Sequence, residues 1–218
     1  PWAFCLVGLK KIFCVPLCAE LHEGVETLRQ LQNKDEPVVN GKARVSVTTL
    51  MATMVADFAQ SLGSKSIAVL DAYFAAGPVL LILKTLVDSN GHRLAHLVTR
   101  AKNNVVGDED PPPKTGRKGR PKRYGKKVKL IKLFENNLNG FQDATIEIYR
   151  KKKTVFFLCL DLIWKPIGEK VRFVLIIDGE EKCILMCSDL TLSPQDIIKA
   201  YSYRFKIEVS FKVLKHLM

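Results

Sequence analysis

Residues 66–70, Ser-Ile-Ala-Val-Leu, are a short apolar run set between two longer segments of helical spacing. No other feature constrains the fold as much. Before the run, Val47, Leu50, Met51, Met54, Val55, Phe58 and Leu62 recur at the helical period over residues 43–62, and Gly63 stops the helix. After it, residues 75–88 read as a second helix, Asn90-Gly91 as a turn and residues 94–99 as another strand. Apolar strands separated by helices predict an α/β sheet, with residues 66–70 as a central strand that ends at Asp71. Residues 2–9 and 12–18 read as two further strands around a turn with Gly8, Lys10 and Lys11. The polar stretch from Glu20 to Lys42 reads as a short helix plus loop.

The second half of the chain has a different rhythm. Residues 107–127 hold Pro111-Pro112-Pro113 and glycines at 116, 119 and 125, a composition that predicts a linker rather than packed core. Four strand-like segments follow, at 145–149, 154–163, 171–177 and 183–187, and read as an antiparallel unit with Trp164 in its core. A helix is predicted from 194 to about 217. Ser193 suits its N-cap, Pro194 its first position and Asp196 a capping box. The expected division is a core over 1–100, a basic linker and β-rich insertion over 101–190, and a final core helix over 191–218. No internal repeat is present.

Charge is concentrated rather than spread. The chain carries a net +12, with 34 bases against 22 acids. Lys114, Arg117, Lys118, Arg120, Lys122, Arg123, Lys126 and Lys127 form one run without an acid, and residues 150–153 form a second. Without these two runs the chain is neutral. Dense, unbalanced basic runs point to a polyanionic partner, above all nucleic acid, with Tyr124 available to stack on a base.

Other signals are weaker. The six cysteines lie in apolar, strand-like surroundings and read as free thiols of a reducing cytoplasm, since the Cys14/Cys18 and Cys183/Cys187 spacings have no histidine pair beside them. His22, His92, His96 and His216 are not spaced as metal ligands and read as surface or packing residues. The longest apolar stretch, residues 72–83, falls well short of the roughly 20 residues a membrane span needs.

The last segment, Tyr201 to Lys215, carries the chemistry. On a helical wheel Tyr201, Arg204, Glu208 and Lys215 fall within about 60° of one another, while Ile207, Phe211, Val213 and Leu214 occupy the other sides. A carboxylate on so apolar a helix is costly without a cation. Arg204, one turn before Glu208, supplies one, so a purely structural ion pair is an open alternative.

The spacing Tyr201-x2-Arg204-x3-Glu208-x6-Lys215 resembles the YREK signature of insertion-sequence transposases of the DDE superfamily. Val69-Leu70-Asp71-Ala72-Tyr73-Phe74-Ala75 resembles that group's second-aspartate motif. Leu97-Val98-Thr99-Arg100, followed by a Pro-rich basic stretch, resembles its next strand. The resemblance implies an RNase H-like mixed sheet with flanking helices and a β-rich insertion before the last helix. Residues 2–18 would supply strands two and three. It implies Asp71 and Glu208 as the second and third acids, which are catalytic and metal-binding. It gives Tyr201, Arg204 and Lys215 the role of gripping phosphates of the transposon end, and the linker's Arg117, Lys118, Arg120, Lys122 and Arg123 are added as DNA contacts from their charge. It also implies a first aspartate ahead of Trp2. The chain starts at Pro1, so it reads as the central-to-late part of such an enzyme, inactive alone. Asp57, Asp88, Asp161 and Asp178 are poorly placed to substitute, and Asp189 reads as a turn or cap residue.

Phosphodiester cleavage and strand transfer need an activated oxygen nucleophile and a stabilised leaving oxygen, which two Mg²⁺ ions provide; Mn²⁺ substitutes. Hard carboxylates suit Mg²⁺, and the expected separation of the two acids is on the order of 5–8 Å. DNA, as transposon end and target, is the implied partner, along with a second copy of the intact protein and no membrane. The implied setting is the bacterial cytoplasm, at the nucleoid. A catalytically dead remnant that binds DNA or a partner, another RNase H-like nuclease, and a basic nucleic-acid-binding module stay open as alternatives.

Overall fold

The computed structural model describes residues 2–8, 12–19, 46–113, 121–148, 151–209 and 212, the first two segments as backbone only. β1 (Trp2–Gly8) and β2 (Ile12–Ala19) form an antiparallel pair that makes its own two-stranded sheet. The expected segment between Glu20 and Lys42 lies outside the described residues.

The remaining strands form one eight-stranded mixed sheet: β3 (Ser66–Leu70), β4 (Ala95–Arg100), β5 (Val106–Asp108), β6 (Lys127–Lys129), β7 (Gln142–Ile148), β8 (Lys151–Trp164), β9 (Glu169–Asp178) and β10 (Glu181–Cys187). The order is β3-β4-β10-β9-β8-β5-β6, with β7 also paired to β8. β3 and β4 run parallel in the register Ser66 to Ala95 through Leu70 to Thr99; all other pairs are antiparallel. The α/β class therefore holds. The placing of residues 66–70 at the centre does not: β3 is an edge strand, and Ile67 is correspondingly exposed. An apolar run this short is equally compatible with an edge whose two faces are covered by helices.

Both faces of the sheet are packed, which explains why its strands read as unbroken apolar runs. Side chains alternate. Leu97, Val171, Phe173, Leu175, Ile184 and Met186 enter one core with α1 (Val47–Leu62) and α2 (Gly77–Thr85). Val98, Val174, Ile176, Leu185 and Cys187 enter another with Ile197 and Ile198 of α4 (Pro194–Ser202). A short helix, α3 (Leu133–Asn136), adds Phe134 to the first core. Each fully buried side chain of Val, Leu or Phe size contributes about 1.5–3 kcal/mol.

Local chemistry sets the helix ends. Ser46 caps α1, its hydroxyl accepting from Thr49 N–H at 3.2 Å, and Gly63 closes it at φ 61°. Ser193 caps α4 by accepting from Asp196 N–H at 3.1 Å, as its sequence predicts.

Three further expectations are corrected. The second helix is shorter than 75–88: it starts at Gly77 with Pro78 in its first turn and ends at Thr85, where Leu86 turns extended, and Ala72–Phe74 wind as a separate 3₁₀ turn capped by Asp71. The ends of the basic linker are not linker. β5 pairs with both β6 and β8, and Gly107 is what permits it: a Cβ there would lie 2.6 Å from the Leu162 Cβ. Finally, the helix expected to reach residue 217 ends at Ser202. Tyr203 and Arg204 form a turn, helical residues resume at 205–209, and the backbone bonds there close on residues three back, as in Arg204 N–H to Tyr201 C=O at 3.1 Å. The aromatic-rich Tyr-Ser-Tyr-Arg-Phe run is poor helix sequence, and Ser202 donates its hydroxyl to the Lys199 carbonyl.

The insertion strands continue the sheet begun by β3 and β4. Glu169 at the start of β9 accepts from Lys84 of α2 and from Arg93, each at 2.5 Å. Burial works against its charge, but those two cations outweigh it and hold the Glu169 carboxyl below its ordinary range.

Candidate functional site

The parallel pair β3–β4 sets the site. Chain segments that leave the carboxyl ends of parallel strands frame a crevice, where α/β sheets commonly bind ligands. Asp71 follows β3 directly. Its backbone carbonyl accepts from Thr99 Oγ1 of β4 at 2.8 Å, so the neighbouring strand fixes its position. Its carboxylate Oδ1 accepts from Tyr73 N–H at 3.3 Å. The carboxylate remains 55% exposed.

The turn after α4 brings Arg204 to the same place. Its Nη1 lies 3.4 Å from Asp71 Oδ2, and its Nη2 lies 3.6 Å from Glu208 Oε1. One guanidinium thus faces both candidate acids, from segments far apart in sequence. These two contacts and the width of the guanidinium cap the distance between the acid oxygens at about 9 Å. Both contacts are longer than a strong hydrogen bond, and Glu208 is 48% exposed. The Arg204 guanidinium also sits 5.8 Å from the centroid of the Tyr201 ring. Burial raises the Tyr201 hydroxyl above its ordinary pKa, with Arg204 pulling the other way, so it stays a neutral donor at physiological pH.

An open cleft of about 490 Å³ lies here. Asp71, Tyr201 and Arg204 line it together with Arg100, Lys102 and Asn103. The sequence alone marks no role for Lys102, Asn103 or its neighbour Asn104. Their position just past the end of a strand parallel to β3 is the signal that marks them.

The other sequence-predicted residues divide. Lys215, Arg117, Lys118 and Arg120 lie outside the described residues. Lys122 and Arg123 are exposed and do not line this cleft. Tyr124 has Arg123 5.6 Å and Lys165 5.0 Å from its ring centroid, so cations already attend the ring proposed for base stacking.

The remaining acids are engaged elsewhere. Asp88 accepts from Asn90 and His92 N–H, each at 2.8 Å. Asp161 forms a two-point pair with Arg172, and Asp178 pairs with Lys153. Asp189 is buried and accepts from Thr191 N–H at 3.0 Å and Thr191 Oγ1 at 2.7 Å, with Lys65 Nζ at 2.5 Å. Of the turn or cap role its sequence position predicts, it has the turn role, while Ser193 caps the helix that follows. Beside it, buried His96 is held below its ordinary pKa by burial, which the Asp189 charge only partly offsets. Cys159, Cys183 and Cys187 are free thiols, and burial pushes Cys187 up to about 12.

Among the described residues no group of three or more His, Cys, Asp or Glu converges on a metal position. Asp71 and Glu208 therefore offer two hard, half-exposed carboxylates. Hard carboxylates are the donor type Mg²⁺ takes, an ion that commonly binds through one or two of them and keeps its waters. Arg204 is the cation between them. No helix of the described residues is long and apolar enough to cross a membrane. No protein-family model and no curated protein sequence matches the chain.

Proposed function

We propose that the chain is of the DDE-type DNA transposases, with an RNase H-like core built for Mg²⁺-dependent strand cleavage and strand transfer. One observation carries this reading: Arg204 faces Asp71 and Glu208 at once, at the carboxyl end of a parallel strand pair. The order of elements is compatible with it, since an antiparallel unit, β7 to β10, precedes the last helix.

Asp71 and Glu208 would hold the metal. When bound, it activates the attacking oxygen and stabilises the leaving one. The chain's own groups do the rest. Arg204 is the pivot: its guanidinium faces both carboxylates and is positioned to turn to a phosphate, which a planar guanidinium grips through two oxygens. Tyr201 stays protonated at physiological pH and donates a hydrogen bond. Arg100 and Lys102 add positive charge on the β4 side of the cleft.

Two carboxylates fit one metal and the reaction uses two, so this chain by itself is expected to bind DNA and leave supercoiled plasmid intact. The test is DNA binding with and without Mg²⁺. Affinity should rise several-fold with Mg²⁺, and Asp71→Asn or Glu208→Gln should each remove the rise while Asp57→Asn keeps it. Equal affinity in all of these conditions would overturn the proposal. A second reading, a DNA- or partner-binding module without catalysis, is favoured by the same guanidinium, which already pairs with both acids. It predicts that Mg²⁺ has no effect while binding persists.

A further inference from the structure

We infer that a single-stranded segment of nucleic acid lies along a continuous basic groove, which leads from the Asp71–Glu208 acids past the loop after β4 to the base of the 109–126 linker. The inference rests on the functional reading above and adds the path and the form of the substrate.

The cleft at Asp71 has a neighbour. A second cleft of about 460 Å³ is lined by Lys127 of β6, by Trp164 and by Lys165 just past β8. Both clefts share Ala101, Lys102 and Asn104, so the loop after β4 forms their common wall. Four cations mark the resulting line: Arg204, Arg100, Lys102 and Lys127, with Lys165 near its far end. Arg100, Lys102 and Lys127 form no ion pair with any described residue, whereas Lys84, Arg93, Lys153 and Arg172 do. Lys165 shares its charge with buried Asp108 at 3.1 Å. Unpaired cations in a row along a crevice are what a phosphodiester backbone needs, because each neutralised phosphate releases counterions and lowers the free energy of binding.

Size selects a single strand. Clefts of about 490 and 460 Å³ match small-ligand pockets rather than a seat for a duplex. A flexible strand enters such crevices with its phosphates on cations and its bases on apolar or aromatic surface. Tyr124 of the linker lies beside the far end, where Lys165 is 5.0 Å and Arg123 5.6 Å from its ring centroid, and a base that displaces either cation gains that ring. The side amides of Asn103 and Asn104 make no hydrogen bond to a described residue and stand free to meet base edges near the acids.

The test is fluorescence anisotropy of a labelled dT12 oligonucleotide and of a 12-base-pair duplex, titrated with the full chain over a series of salt concentrations. Lys102→Gln with Lys127→Gln is the central variant, and both side chains are exposed, so folding should survive; circular dichroism checks it. dT12 should bind more tightly than the duplex. The double variant should weaken dT12 several-fold and flatten its log–log salt slope by roughly 1.4, about 0.7 for each phosphate that is no longer neutralised. Lys102→Arg with Lys127→Arg should restore both. An unchanged dT12 affinity and slope, or a duplex that binds as tightly as dT12 and weakens as much, would overturn the inference. A double variant that keeps the Mg²⁺ response of Asp71 and Glu208 separates failure of the groove from failure of the metal reading.

Discussion

β3 has an acid cluster at each end, and the two are built in opposite ways. At its start, Asp189 is 3% exposed, and Lys65, Thr191 N–H and Thr191 Oγ1 all contact its carboxylate at 3.0 Å or less. Burial alone would raise its pKa, yet those partners hold the carboxyl down at about 2. At its end, Asp71 is more than half exposed and meets its partners at 3.3 and 3.4 Å. A buried carboxylate held by several short contacts stabilises a fold and is closed to a ligand from solvent. One held loosely in water by a single shared guanidinium adds little stability and is free to exchange partners. Exposure and contact length, more than the presence of an acid at a strand end, separate structural aspartates from available ones.

Removing the saturated acid should have the largest effect. Asp189→Ala is expected to lower unfolding free energy by about 2–3 kcal/mol, because it leaves Thr191 and Lys65 without their acceptor; urea denaturation measures this, and a decrease below about 0.5 kcal/mol would dissolve the contrast. The pH dependence is next. The folded pKa of Asp189, about 2, lies below its ordinary 3.8, so the stability it contributes is fully present above pH 4 and is lost as pH falls toward 2. That loss should be about 2 kcal/mol and should vanish in Asp189→Asn. Arg204→Met should cost about 1 kcal/mol or less, since its two partners are half in water. Asp71→Asn and Glu208→Gln should change stability least, by within about 0.5 kcal/mol.

How much of the molecule is legible in its sequence follows the same division. Both acids that face Arg204 are legible as residues, Asp71 from the apolar strand that ends at it and Glu208 from its spacing to Tyr201 and Arg204. Their sharing of one guanidinium is not, because it depends on the turn at Tyr203–Arg204, where an ideal helical wheel no longer applies. The strands β7 to β10 are legible within a few residues, since β8 to β10 carry apolar runs bounded by turns and β7 alternates polar residues with Ala144, Ile146 and Ile148. The edge position of β3 is not, because periodicity reports burial and leaves strand order open. β5 and β6 are hidden in a stretch whose prolines and glycines read as linker; the pairing depends on Gly107 passing against Leu162, a contact no local pattern encodes. Lys102 and Asn104 escape notice in the sequence because neither belongs to a charge run; their location after a parallel strand gives them their place in the cleft.

The central claim is that Asp71 and Glu208 together hold one divalent cation. Electron paramagnetic resonance of Mn²⁺ titrated into the chain tests it most directly. One bound ion per chain is expected, released by Mg²⁺ and abolished in both Asp71→Asn and Glu208→Gln while Asp189→Asn retains it. Binding that persists in either of those two variants, or no bound ion in the unaltered chain, would contradict the claim.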